Sequence, residues 1–288
     1  MADVADVADV LVRLRPRPGA PPPPIGAAVD PGFRLVVCPP SGAGAQYARP
    51  LLRAGVELWA VRYPGRETRI GEPFATTVTQ LAAEAAAALA PLIADGVPTV
   101  LLGHSMGVGV AVETDRLLAQ TPSPGAAARP RPRLLALSAR QAPTVDHPER
   151  AEHDSEYEQL RRLATDDAAL RAWVARLGGV PAPLLDDADF MAMYLPILRA
   201  DLLVSLDHAA LPYAGPDPTP LLLIGGDADP VVPPGSMAAW APTAHNSVRS
   251  VVLRGGHHAL VEDPDGLYAA VTAALSTALR PVPAGRGA

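Results

Sequence analysis

Short runs of β-branched and aliphatic residues recur along this chain, each followed by Gly, Pro or Ser. FRLVVC from Phe33, VELWAVRY from Val56 and PTVLLG from Pro98 are short and almost uniformly apolar, so they read as parallel strands buried on both faces. Between the second and third lies TTVTQLAAEAAAALAPLIADG, which predicts a helix. Thr76 or Thr77 caps it, Leu81, Ala85, Leu89 and Leu92 share one face, and Gly96 ends it. The alternation continues through a helix from about Met106 to Gln120, a Pro-rich loop, the strand RLLALSA, and later LLLIGG, SVRSVVLRGG and a helix around 266–280. Alternating strands and helices predict an α/β protein with an open, mostly parallel sheet and helices on both faces.

Two stretches depart from the pattern. Residues 1–31 combine an Ala-Asp-Val repeat with RLRPRPGAPPPP, a Pro density that excludes a helix or a central strand, and a mobile tail is expected there. Residues 281–288 read as a second tail. The stretch 145–205 is charged, helical in composition and without a convincing strand. It predicts an inserted helical lid that divides the core into 32–144 and 206–280. Within it Leu160, Leu163, Leu170, Trp173, Val174 and Leu177 recur at helical spacing and read as packing residues rather than binding ones.

Composition narrows the function classes. The 288 residues are 49% apolar but only 4% aromatic, so the core is built from Ala, Val and Leu. All 24 basic residues are Arg, 30 residues are acidic, and a net charge of −6 argues against nucleic acid as a partner. The single cysteine, Cys38, permits neither an intrachain disulfide nor a Cys-based zinc site, which fits a reducing, cytoplasmic setting. The first residues are acidic where a signal peptide would be basic. No apolar run approaches the roughly 20 residues of a spanning helix, so a soluble protein without membrane contact is expected.

The chemistry concentrates at the predicted strand ends. Gly103-His104-Ser105-Met106-Gly107 falls where the strand PTVLL meets the next helix, the context that makes G-x-S-x-G a nucleophile elbow. Ser105 is then pushed out at the top of the sheet, beside unpaired amides at a helix N-terminus. A serine hydroxyl needs a base, and the base an orienting carboxylate. After LLLIGG come Asp227 and Asp229; after SVRSVVL come His257 and His258 behind Gly255-Gly256. Either member of each pair sits at the correct sheet edge. Acyl transfer also needs two oxyanion donors. Met106 N–H, directly after the nucleophile, is one, and the loop Cys38 to Gly44 supplies the other. Ser41 is the best choice there, because Pro39 and Pro40 have no N–H. That loop lacks G-x-G-x-x-G spacing and a P-loop Lys, so it does not read as a phosphate cradle.

With these residues in place the chain resembles the stand-alone type II thioesterases that accompany modular polyketide and nonribosomal peptide synthases, over about residues 33–275. Tyr63-Pro64-Gly65-Arg66-Glu67-Thr68-Arg69 is close to that family's Tyr-Pro-Gly-Arg signature. Further agreement lies in GHSMG with Val112-Glu113, in Ser138 to Pro143, in LGGVP at 177–181, in Leu195-Pro196 with Leu198-Arg199-Ala200-Asp201, and in GGDADP and GGH. The resemblance implies an α/β-hydrolase fold with a helical lid. It implies hydrolysis of acyl groups, typically stalled or misprimed short chains, from the phosphopantetheine arm of an acyl or peptidyl carrier protein. It selects Asp229 over Asp227 and His257 over His258, completing a triad with Ser105, with Met106 and Ser41 as oxyanion donors. Neither metal nor organic cofactor is implied, and a monomer is expected. Arg66 reads as an ion pair holding its loop. The first loop departs from the family's Pro-His-Ala-Gly-Gly, and His258-Ala259 stand where an aromatic pair is usual, so substrate preference is expected to differ from the family norm. Two rivals share these residues: an esterase or acyltransferase of the same fold, and an inactive hydrolase fold serving as a carrier-protein binding module.

Overall fold

Side chains alternate across the central strands and so build two core layers at once. The computed structural model describes residues 7–17, 32–120, 131–142, 161–209, 219–243 and 247–278. Its strands are β1 (Leu11–Arg13), β2 (Phe33–Cys38), β3 (Val56–Val61), β4 (Thr99–His104), β5 (Leu134–Ser138), β6 (Leu221–Gly226) and β7 (Val248–Leu253). They form one sheet in the order β1-β3-β2-β4-β5-β6-β7, parallel throughout except for β1 against β3.

Every residue of β2, β4, β5 and β6 is buried. Val36, Leu101, Leu135 and Leu223 point to one face, where helices α2 (Val78–Ile93) and α3 (Met106–Gln120) cover them. Their neighbours Leu35, Leu102, Ala136 and Leu222 point to the other, against α7 (Ala259–Glu262) and α8 (Pro264–Ala278). This period of two, with helices on both faces, is what the apolar runs predicted. Helix α2 starts at a capping box in which Thr77 accepts from Gln80 N–H and the Gln80 side chain returns to Thr77 N–H.

The N-terminal region corrects one expectation. Val7–Val10 form a short helix, α1, and Leu11–Arg13 pair antiparallel with β3, Leu11 opposite Val61 and Arg13 opposite Trp59. The alternating stretch before Pro16 is free of proline, and at a sheet edge three residues suffice to pair. Val10, Leu11 and Leu14 are accordingly buried. The Pro-dense segment from 18 to 31 and the C-terminal 281–288 lie outside the described residues.

Between β5 and β6 the described chain is helical: residues 161–165, then α4 (Asp167–Leu177), α5 (Ala182–Leu185) and α6 (Ala188–Ala209), which runs past the expected boundary at 205. Asp166 caps α4 by accepting from Ala168 and Ala169 amides. Leu163, Leu170, Val174, Met191, Leu195, Leu198 and Leu202 form a small apolar cluster of their own. Leu160 lies outside the described residues. No helix among the described residues is long and apolar enough to cross a membrane.

Candidate active site

Strand β4 ends at His104 and α3 begins at Met106, so Ser105 alone makes the turn, at φ +53°. A residue with a Cβ rarely adopts that left-handed conformation, and it persists only where the surroundings impose it. Here Ser105 N–H donates to Ser138 O on β5 (2.8 Å), and Val108 N–H donates to Ser105 O (3.0 Å). The glycines on either side make room: a Cβ at Gly103 would strike the Gly107 carbonyl, and one at Gly107 would strike that of Cys38. Met106 N–H, at the start of α3, donates to no acceptor among the described residues.

The loops after β6 and β7 bring a carboxylate and an imidazole together. Asp229 Oδ2 meets His257 Nδ1 at 2.9 Å, and both residues are buried. Asp229 Oδ1 accepts from Val231 N–H (2.8 Å) and Val232 N–H (3.0 Å), which fixes the carboxylate. Burial alone would raise the Asp229 pKa. The His257 hydrogen bond and charge, with the two amides, outweigh it and hold the carboxyl below its ordinary value. Asp227 is exposed and has another task, accepting from Gly255 N–H (2.9 Å) and so tying the loop before His257 to the loop that carries Asp229. No Ser105–His257 hydrogen bond is formed among the described residues; such bonds commonly tighten when substrate fills the site.

The loop after β2 lies on the other side of Ser105. Ala43 N–H donates to Pro40 O (3.1 Å) across a turn whose third residue, Gly42, has φ +76°. That combination is a type II turn. Gly42 N–H donates to Asp201 Oδ2 (2.7 Å), a buried side chain of α6. Ser41 N–H donates to no acceptor among the described residues, so of the amides at Ser41, Gly42 and Ala43 it is the one left for another oxygen. Arg66 holds both oxygens of Asp201 at 2.7 Å and donates to Ala43 O (3.2 Å), with its guanidinium over the Tyr63 ring. Tyr63 O–H donates to Pro39 O (3.1 Å). The Tyr-Pro-Gly-Arg segment thus clamps the loop, through the ion pair expected for Arg66.

Ser41, Ser105, His257 and His258 line one cavity of about 210 Å³ between the sheet edge and the helices α4–α6. Trp173, Val174 and Leu177 line it too, so residues read as packing positions also form its wall. Tyr47 O–H and His258 Nδ1 are 3.1 Å apart. Burial, then the His257 charge, push the His258 pKa down to about 4, against the opposing pull of the Gly178 carbonyl and Asp229. Burial, then the charges of His257 and His258, keep His104 well below the usual histidine value. His104 Nδ1 meets Ser138 Oγ at 3.1 Å, and its Nε2 is buried without a partner among the described residues. Both histidines beside His257 are therefore neutral at pH 7, and a proton taken up by His257 meets no like charge there.

Sequence reasoning gave Asp201 and Tyr47 no role. Asp201 sat in a recognised motif but its partners lie far away in the chain, and Tyr47 follows a loop with no periodic signal.

A family model described as "Thioesterase domain" matches residues 33–275. The chain is similar to the thioesterase PikA5 of Streptomyces venezuelae, 33% identical over 80% of this chain and 76% of that protein. Among solved structures it is similar to YbtT, a type II thioesterase from the yersiniabactin pathway, with TM-score 0.72 and 26% identity over 94% of this chain and all of that one. It is also similar to RedJ, the thioesterase of the prodiginine pathway in Streptomyces coelicolor, with TM-score 0.67 and 27% identity over 90% and 96%. With its elbow, its Asp-His pair at adjacent strand ends and its mostly parallel sheet, the chain is an α/β-hydrolase that belongs to the thioesterase family, a hydrolase of thioester bonds related to the type II thioesterases of polyketide and nonribosomal peptide biosynthesis.

Proposed function

We propose that this thioesterase removes acyl groups from the phosphopantetheine arm of acyl or peptidyl carrier proteins, with Ser105, His257 and Asp229 as its triad. The observation that carries the reading is the buried His257–Asp229 hydrogen bond facing the same cavity as the left-handed Ser105. Ser105 Oγ attacks the thioester carbonyl while His257 takes its proton, and Asp229 keeps the imidazole in the required tautomer. Met106 and Ser41 amides receive the oxyanion. As the tetrahedral intermediate collapses the C–S bond breaks, His257 returns the proton to the departing sulfur, and the pantetheine thiol leaves. Water then loses a proton to His257, attacks the acyl-serine, and releases the carboxylic acid and the free hydroxyl of Ser105. The apolar cavity takes the acyl chain; among the described residues no acidic residue or arginine lines it, which favours uncharged acyl groups.

The test is intact-mass analysis of an acetyl- or propionyl-loaded carrier protein incubated with the wild type and with Ser105→Ala. Deacylation by the wild type and a loss of at least about 10⁴-fold in the variant are expected. An active Ser105→Ala enzyme overturns the triad. A wild type that reacts with a fluorophosphonate yet leaves every acyl carrier protein untouched overturns the substrate and points to the esterase or acyltransferase alternative.

A further inference from the structure

The oxyanion loop is held from outside the sheet. Its turn, Pro40 to Ala43, depends on two peptide planes. The first carries Pro40 C=O and Ser41 N–H in trans, so pinning Pro40 O on Ala43 N–H aims Ser41 N–H the other way. The second carries Gly42 N–H, and flipping it interconverts type II and type I turns. Gly42 allows the type II form but is compatible with type I as well. What decides between the two is Asp201 Oδ2, at 2.7 Å from Gly42 N, on α6.

Asp201 is itself immobilised. Both its oxygens are engaged by Arg66 at 2.7 Å, the pair is almost completely buried, and Arg66 also donates to Ala43 O at the end of the same turn. Tyr194, seven residues before Asp201 and on the same face of α6, packs its hydroxyl over Gly42, where any Cβ would collide with it. Arg66 and Asp201 lie outside the set lining the cavity, so neither is placed to touch the acyl group.

We propose that Asp201 and Arg66 are positioning residues for the Ser41 oxyanion donor, so that seating α6 on the core and forming the oxyanion site are one event. Lifting α6 withdraws the Gly42 acceptor and the carboxylate that holds Arg66 against Ala43 O, so the whole turn loosens and, with its Pro40–Ala43 hydrogen bond, the Ser41 N–H direction is lost. The helical layer then governs the rate of the chemical step as well as access to it. The inference rests on the triad reading above, and its test separates the two.

Removing one partner alone would leave a buried charge, so the informative variant replaces both with apolar residues of similar size, Arg66→Met with Asp201→Leu. Such a pair is expected to fold with a thermal midpoint at or above that of the wild type. Activity on an acyl-pantetheine thioester is expected to fall about 100-fold in kcat with KM within about threefold, the scale of losing one oxyanion donor. Inhibition by a trifluoromethyl ketone analogue of that thioester, whose Ser105 adduct places an oxyanion in the same position, is expected to weaken by the factor lost in kcat/KM. Arg66→Met with Asp201→Asn, which keeps an acceptor for Gly42 N–H and leaves no buried charge, is expected to recover most of the rate. A well-folded Arg66→Met, Asp201→Leu enzyme with wild-type kcat overturns the proposal, as does a fall in kcat with unchanged ketone inhibition. A wild type whose Ser105 forms no ketone adduct overturns the triad and this inference together.

Discussion

The sheet edge that carries the proposed triad and the helical layer above it are built on different terms. At the edge, Ser105 directly follows β4, Asp229 and His257 lie in the short loops after β6 and β7, and β4 and β6 are buried throughout. The helices α4–α6 bury one face against a small cluster and leave Met193, Leu203 and Leu184 exposed. A group on the first frame moves only if the sheet moves, whereas one on the second depends on how a thin layer is seated. The difference separates two duties in the proposed mechanism: the edge holds Ser105, Asp229 and His257, and the layer walls the cavity and holds the turn at Ser41.

The sharpest way to break this comparison lies within the edge itself. Asp229→Asn leaves the geometry but disturbs the imidazole tautomer, and kcat on an acyl-pantetheine thioester is expected to fall by about 10⁴-fold. Asp227→Asn, which weakens only a loop clip, is expected to stay within about tenfold. Equal losses in steady-state assays would remove the distinction drawn between these two carboxylates.

Next in size is stability. Leu102→Ala, in the middle of β4 with no exposure, is expected to cost about 4 kcal/mol in urea unfolding, since the close-packed sheet cannot collapse into the cavity. Leu170→Ala, equally buried but in the thin cluster under α4, is expected to cost about 2 kcal/mol, because loosely anchored helices relax into the space. Equal costs would show that the layer packs as tightly as the core.

The smallest effect concerns pH, at the contact between the two regions. His258 has a folded pKa of about 4, against an ordinary 6.5, so the unfolded chain binds its proton at the higher pH. Its contribution is complete above about pH 6.5 and is lost as pH falls towards 4, amounting to about 1 kcal/mol at pH 5.5. In His258→Phe, the drop in stability between pH 7 and 5.5 is expected to shrink by that amount. His104, also held neutral by burial, keeps its own share of the slope. An unchanged slope in denaturant titrations at the two pH values would show that His258 is not the group that titrates.

Much of this was legible in the chain. Each strand predicted from an apolar run is present, Thr77 is the cap of α2, and the elbow lies where G-x-S-x-G meets the start of a helix. These features rest on interactions within a few residues, so local pattern carries them. Leu11–Arg13 was misread because the prolines behind it dominated the composition, while its pairing with β3 is a contact across the chain. Asp227 and Asp229 were indistinguishable by residue type and strand position. Burial and the His257 bond separate them, and those exist only once β6 and β7 lie side by side.

The sequence by itself therefore determined the order of strands and helices, the sharp turn at Ser105, and the short list of candidate acids and bases, since each depends on periodicity or on a turn that only certain residues permit. Tertiary structure decided which carboxylate orients the imidazole and left Ser41 as the free loop amide. It also made Asp201 a partner of Gly42 across 159 positions of chain. Those outcomes depend on distances between segments that no local pattern encodes.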